Sequence, residues 1–525
     1  MRAWTAIIGA RGFRGALWLG GCLPLIWACQ RGELEAAVDI LPQRYPNRLA
    51  ETDTEVRAVV FSPGGGVLEP LAARAIARAT IDPGGPDAVS ADVIGGVVFG
   101  DVNGDGARDA TATFSRQALL SAGLLSGARH TLEIRIEGTD SAWVGTDRLF
   151  EADAPLIQLP DPSGPFDVGT AALLVEGTAV TAADGAEAEA GEAGEADTDT
   201  RTLLVRLWYP AAATDEQPAP YFLDPRHAER NLRSAYLPLP ADLFELTHGS
   251  ARERVPTANS EARPVLVLST GWGVPVDMYG ALAEDFASNG YLVLGVNHPD
   301  GSGAVVYPDG SAPALAPELT VPDAATHRRW ARDLERVARW IFEASADERG
   351  QASVDAEAAA NVAAALGQAD PARVVALGHS FGGSAAVRAD ADSDLIRAAA
   401  DLDGAILGQA PALARRARAL LLVSSEHAAP DPSLDGFLGA AGGASVAFEV
   451  DGASYANFGD TGWLFARLLE LSPDLTREGY QLGPIAPERA HEIVCASAQA
   501  FFAAALAAPG APDLPGADFP ELTPR

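Results

Sequence analysis

Apolar and polar positions divide this chain into two textures. In the middle and C-terminal part, four short runs are apolar without interruption: Val265-Leu266-Val267-Leu268, Tyr291-Leu292-Val293-Leu294-Gly295-Val296, Val374-Val375-Ala376-Leu377 and Ala419-Leu420-Leu421-Leu422-Val423. Each ends in a cluster of small or polar residues, and helical patterns separate them. Runs that are apolar on both faces predict strands buried on both sides, as in a parallel sheet covered by helices. Nearer the N-terminus, Val56-Arg57-Ala58-Val59-Val60-Phe61 and His130-Thr131-Leu132-Glu133-Ile134-Arg135-Ile136 alternate instead. That period predicts a small antiparallel β-domain over 55–157 with one solvated face.

The third apolar run leads into Gly378-His379-Ser380-Phe381-Gly382-Gly383. A strand followed by G-x-S-x-G and then small residues is the pattern of the nucleophile elbow, which predicts an α/β-hydrolase fold, mainly parallel and doubly wound. Glycines flank the serine because the turn is too tight for side chains there. The helix that follows aims its N-terminal N–H groups at a reacting carbonyl. With 53 glycines in 525 residues, the motif alone is weak, and the surrounding strand pattern gives it its weight. In this fold the serine is followed in the chain by an acid and then a histidine. Acids at strand ends after Ser380 are Asp403 and Glu426, and the downstream histidines are His427 and His491. His379 reads as packing beside the elbow, and His298 as a residue that orients a loop after its strand.

Composition narrows the partners. There are 71 acidic and 38 basic side chains, all of the latter Arg, for a net charge of −33. That balance excludes nucleic acid and anionic bilayer surfaces, which select basic patches. The length predicts two folded domains. Arg2, Arg11 and Arg14 precede the apolar stretch 15–28, a signal-peptide layout too short to span a membrane. Ile26-Trp27-Ala28-Cys29 resembles a bacterial lipobox, with Leu19-Gly20-Gly21-Cys22 as a competing match. The expected organisation is a lipoprotein signal over 1–29, lipidation at Cys29, an acidic tether over 30–54, the β-domain over 55–157, the hydrolase domain over 162–507, and a flexible tail over 508–525. Such a chain would sit in a bacterial cell envelope, lipid-anchored or secreted. The Ala/Glu/Gly-rich stretch 183–200 reads as a disordered acidic insert.

Asp101-Val102-Asn103-Gly104-Asp105-Gly106-Ala107-Arg108-Asp109 matches the first half of an EF-hand-type loop. Asp101, Asn103, Asp105 and Asp109 supply side-chain oxygens, and Ala107 stands where such loops use a main-chain carbonyl. Ala112 occupies the position of the bidentate glutamate, so the expectation is a structural Ca²⁺ loop between strands, not a full EF-hand. The alternative is an Asx-rich hairpin turn. No cofactor is expected for catalysis.

Taken together, Leu207-Trp208-Tyr209-Pro210, Ser269-Thr270-Gly271-Trp272-Gly273, Ala287-Ser288-Asn289-Gly290-Tyr291, Gly378 to Gly383, Leu402-Asp403-Gly404 and Gly452 to Asp460 resemble the platelet-activating factor acetylhydrolases of the plasma, lipoprotein-associated phospholipase A2 type. The resemblance covers about 162–507. It implies Ser380 as nucleophile, Asp403 as acid, and the N–H groups of Trp272 and Phe381 as the oxyanion hole. It also implies a small ester or phospholipid substrate with a short or oxidised acyl group. One position departs. The family's histidine lies in G-x-x-H-x-x-F-x-D, and here that segment is Gly452-Ala453-Ser454-Tyr455-Ala456-Asn457-Phe458-Gly459-Asp460. Tyr455 stands where the base belongs, and a phenol is a poor base at neutral pH. Two function classes therefore remain: a serine ester hydrolase, rescued by His427 or His491 or simply slow, and a silent hydrolase-fold lipoprotein that binds ligands or partners.

Overall fold

The computed structural model describes residues 33–35, 37–41, 48–49, 55–61, 76–81, 89–100, 109–121, 129–137, 142–151, 157–176, 201–224, 226–227, 244, 247–303, 305–313, 323–425, 432–441, 443–471, 476–507 and 519–525. Two compact units result, divided near residue 157.

The N-terminal unit contains β1 (Glu33–Glu35), β2 (Ala37–Leu41), β3 (Arg48–Leu49), β4 (Glu55–Phe61), β5 (Ile76–Ile81), β6 (Val89–Gly100), β7 (Asp109–Ser115), helix α1 (Arg116–Ser121), β8 (Arg129–Glu137) and β9 (Ala142–Glu151). Its sheet runs β1-β9-β8-β5-β6-β7-β4-β2, and β3 also pairs with β9. Most pairs are antiparallel, while β1 and β3 join β9 in parallel. Alternation sets the inner face: Val56, Ala58 and Val60 are buried, as are Ala110, Ala112 and Phe114 opposite them. The expected tether over 30–54 is corrected here. Three strands fall within it, and Ala37-Val38-Asp39-Ile40-Leu41 alternates well enough to pair along β4. Strands β6 and β7 form a hairpin closed by Gly100 opposite Asp109. Residues 101–108 of the expected Ca²⁺ loop, including Asp101, Asn103, Asp105 and Ala107, lie outside the described residues, as do Cys29 and the insert 183–200.

The second unit is an α/β-hydrolase fold. After β10 (Ile157–Gln158), its strands are β11 (Asp167–Val175), β12 (Leu203–Ala211), β13 (Thr247–His248), β14 (Arg252–Glu253), β15 (Arg263–Ser269), β16 (Leu292–Asn297), β17 (Ala369–His379), β18 (Ile396–Leu402), β19 (Ala419–Ser424), β20 (Val446–Val450) and β21 (Leu522–Pro524). The main sheet is ordered β14-β11-β12-β16-β15-β17-β18-β19-β20-β21. From β16 to β20 all pairs are parallel, and β12 and β21 are antiparallel neighbours at either side. Helices are α2 (Gly280–Ser288), α3 (Ala324–Glu343), α4 (Ala346–Gln351), α5 (Ala359–Leu366), α6 (Phe381–Asp392), α7 (Ala410–Ala414), α8 (Pro432–Ala440), α9 (Thr461–Leu471) and α10 (Pro487–Ala507). The four continuous apolar runs become β15, β16, β17 and β19. Their Val265, Val267, Leu292, Leu294, Val374, Ala376, Leu421 and Ala419 join one core with Leu334, Val337 and Ile341 of α3. At about 25 cal/mol per Å² of apolar surface, such two-sided burial is what drives the sheet together.

The expected flexible tail is also corrected. Residues 519–525 are described, β21 pairs with β20, and Arg489 lies over the Phe519 ring at 5.0 Å.

Candidate active site

Ser380 sits between β17 and α6. Its φ of 57° and ψ of −122° place it in a backbone region that costs a non-glycine residue about 1–3 kcal/mol. The surrounding structure enforces this. Ser380 donates its N–H to the Leu402 carbonyl at 2.8 Å. A Cβ on Gly382 would run into the Thr270 carbonyl, and one on Gly383 into Asp401 Oδ1, so the turn admits only glycine at both. Phe381 is the first residue of α6, so its N–H has no acceptor within the helix. Its ring lies 5.6 Å from that of Trp272, which stacks on Trp330 at 5.6 Å. The loop carrying Trp272 is tied down by Gly273 N–H donating to the Gly301 carbonyl at 2.6 Å and by Thr270 Oγ1 and Ser302 Oγ at 3.0 Å.

Asp403 follows β18, is 8% exposed, and also has a φ of 57°. Ser380 and Asp403 are two of four non-glycine residues with positive φ among those described. The Asp403 carboxylate accepts from the Ser424 N–H at 2.9 Å on Oδ1 and from Ser424 Oγ at 3.1 Å on Oδ2. Ser424 ends β19, so the acid is fixed by the adjacent strand.

Tyr455 begins a short 3₁₀ turn, Tyr455–Phe458. Its phenol lies beside the Ser380 hydroxyl. Enclosure pushes the phenol up to about 12; the Ser380 side chain pulls it down, and the Asp403 charge adds to the rise. The neighbours kept around Tyr455 hold structure. Asn457 Oδ1 accepts from Ser454 N–H at 2.9 Å and Gly483 N–H at 2.8 Å. Asp460 caps α2, accepting from Gly280 N–H at 2.8 Å and Ala281 N–H at 3.2 Å, and binds Tyr221 Oη at 2.8 Å.

His379 faces this group more directly than its sequence reading as packing implied. Its ring centroid is 4.4 Å from that of Tyr455, and Nδ1 is 2.9 Å from Tyr279 Oη. Tyr279 Oη in turn accepts from the Gly271 N–H at 2.9 Å. Burial pulls the His379 imidazole down to about 4, only partly offset by Asp403 and the Tyr455 main chain, so it is neutral at pH 7. Tyr279 carried no motif signal in the sequence.

A second constellation lies one strand over. Ser269 ends β15, in register with Gly378 of β17. Its Oγ is 3.0 Å from His298 Nε2, and His298 Nδ1 is 2.8 Å from Asp333 Oδ2. His298 stacks on Trp330 at 3.9 Å, and Arg201 pairs with Asp333 at 2.5 Å and Asp300 at 3.1 Å. Ser269 and His298 are fully buried. The main-chain N–H of His298 donates to Ser302 Oγ at 2.7 Å.

The remaining candidates separate. Glu426 and His427 lie outside the described residues. His491 is on α10, where its neighbours include Cys495, Asp285 and the Trp463 ring.

Residues 152–506 match the model of the family described as platelet-activating factor acetylhydrolase, isoform II. Among solved structures, a ferulic acid esterase from Streptomyces cinnamoneus is similar, with 25% identity and a TM-score of 0.55, covering 70% of this chain and 99% of the esterase chain. No match was found among curated proteins.

Proposed function

Because the chain belongs to the platelet-activating factor acetylhydrolase, isoform II, family of carboxylic-ester hydrolases, we propose that it cleaves short or oxidised acyl esters of phospholipids or similar small esters through Ser380, at a rate held down by Tyr455. In this reading Ser380 Oγ attacks the ester carbonyl. The N–H groups of Trp272 and Phe381 receive the oxyanion, each such donor commonly being worth about 3–4 kcal/mol. Asp403 is the acid of the triad. The observation that carries the reading is the strained Ser380 turn at the N-terminus of α6.

The weak element is the base. A phenol at about 12 is ionised in roughly one molecule in 10⁵ at pH 7. Removing the base from a worked serine protease cost about 10⁶-fold in kcat and left about 10³–10⁴ over water. A slow esterase is the result. The same phenol favours a second reading, a silent binding protein that keeps the fold. Labelling by a fluorophosphonate probe separates them. Modification of Ser380, lost in Ser380→Ala together with p-nitrophenyl acetate hydrolysis, supports the esterase. No labelling and equal hydrolysis by both proteins support the silent reading.

The reading extends to placement. Cys29 carries a lipid anchor in a bacterial envelope, which keeps the domain in water near its substrate. Cys29→Ser should release the protein from membranes, whereas unaltered association points to Cys22 or an uncleaved helix. Asp101, Asn103, Asp105, Asp109 and the carbonyl of Ala107 hold a structural Ca²⁺, tested by a chelator-sensitive melting temperature.

A further inference from the structure

Asp285, His491 and Cys495 bring a carboxylate, an imidazole and a thiol to one point in the hydrolase unit, with ligand atoms all within 4.8 Å of one another. His491 and Cys495 are four residues apart on α10, and Gln499 is four further, so the three share one stripe of the helix. That stripe faces Asp285 of α2. His491 Nε2 is 3.6 Å from Cys495 Sγ and 4.0 Å from Asp285 Oδ2.

We propose that Asp285 Oδ2, His491 Nε2 and Cys495 Sγ form a binding site for one Zn²⁺ that clips α10 to α2. A tetrahedral ion about 2.05 Å from nitrogen and about 2.3 Å from sulfur holds those two atoms about 3.6 Å apart, the spacing found here. Nitrogen and oxygen ligands sit about 3.3 Å apart on such an ion, so Asp285 and His491 close by less than about 1 Å. The chemistry is matched as well. Thiolate, imidazole and carboxylate are zinc's usual donors, and two anionic ligands balance the ion in a buried place.

The carboxylate is already aimed. Ser163 N–H donates to Asp285 Oδ2 at 2.9 Å, and Gln499 Nε2 donates to Oδ1 at 2.7 Å. Such outer partners are what orient metal ligands. The ring of His491 is set edge-to-face against Trp463 at 5.4 Å. Twelve per cent of the His491 side chain is exposed, which gives an ion an entry path, while Asp285 is shielded. A fourth ligand comes from water, as in sites with three protein donors. Without an ion, burial holds the Cys495 thiol protonated. On binding, the S–H bond breaks, its proton leaves to solvent, and the sulfur–zinc bond forms.

The test is metal retention by the full chain. After exposure to zinc and gel filtration, wild type should keep one Zn²⁺ per chain at this site, and Cys495→Ser should bind it at least about 100-fold more weakly. Cobalt(II) adds a specific readout, because a thiolate ligand gives a charge-transfer band that oxygen ligands do not. The band should appear in wild type and vanish in Cys495→Ser and in His491→Ala, with circular dichroism showing that both variants are folded. Retention and spectrum identical in wild type and Cys495→Ser would assign the ion to acidic side chains elsewhere and overturn the proposal. So would the absence of any retained ion in wild type.

Discussion

The phenol of Tyr455 stands beside the hydroxyl of Ser380, where enclosure raises its pKa and the serine lowers it, at the position where the family resemblance implies an imidazole. A phenol can accept the serine proton only if it is ionised, and enclosure makes that rarer still.

Restoring the imidazole tests that statement. Tyr455→His should raise kcat/KM for short-chain esters by at least about 10², allowing for imperfect fit of the new ring. The gain should follow an ascending limb near about pH 6.5–7, as a histidine base requires, and vanish in Ser380→Ala. If wild type is already fast and loses its activity on His427→Ala, the base is elsewhere.

Asp403 should matter most once an imidazole is present. In the Tyr455→His background, Asp403→Asn should remove most of the gain, by about 10²-fold or more, because nothing then fixes the tautomer. Ser424→Ala should cost less, since it removes one bond to Oδ2 and leaves the main-chain bond to Oδ1. Steady-state kinetics on the three proteins decide the order. A larger loss from Ser424→Ala would contradict it.

Gly383→Ala should be among the most damaging single substitutions. The added methyl meets Asp401 Oδ1 and lies 2.8 Å from the Gly378 carbonyl, both in rigid surroundings. A cost of about 1–3 kcal/mol or more is expected, read as a lower urea midpoint at unchanged m-value. Near-wild-type stability would mean that the elbow yields more easily than its packing implies.

Asp390 sets a pH dependence of stability. Burial pushes its carboxyl up to about 7, although the Arg418 N–H donates to it at 2.6 Å. Between the unfolded value near 3.8 and about 7, the folded state holds more protons than the unfolded one. Stability therefore falls as pH rises through that window. Asp390→Asn keeps an acceptor without the charge. It should melt higher than wild type at pH 8, by up to a few kcal/mol in stability, and the difference should shrink towards pH 4. A constant difference at all pH values would assign the effect to packing.

The sheet was legible because Val265–Leu268, Leu292–Val296, Val374–Leu377 and Ala419–Val423 are apolar on both faces, a pattern that few other environments permit. The tight turn at Ser380 was legible from local context, as a strand end and glycine neighbours announce it, whereas Asp403 shared its strand-end signal with Glu426 and only the family resemblance separated them. The strands within 33–49 were not, because segments of two to five residues in a polar stretch owe their state to partners far along the chain. Residues 522–524 escaped for the same reason. Tyr279 and Ser424 also carried no signal. Each reaches the site through a contact across the fold, Tyr279 to His379 and Ser424 to Asp403. Asn457 and Asp460, which complete the segment around Tyr455, make bonds that hold the turn and the end of α2.

Judged by interatomic distance alone, Ser269 is more completely wired than Ser380. It has an imidazole at 3.0 Å and a carboxylate behind that at 2.8 Å. It is also sealed in the interior, at the end of a regular strand, with no door for a substrate. Ser380, at the strained turn beside the head of a helix, is itself only 4% exposed and lacks the wiring. A template search built on side-chain spacing would select the serine on the regular strand and pass over the one on the strained turn. A proton relay and a strained turn at a helix N-terminus are separable possessions, and here each belongs to a different serine on neighbouring strands.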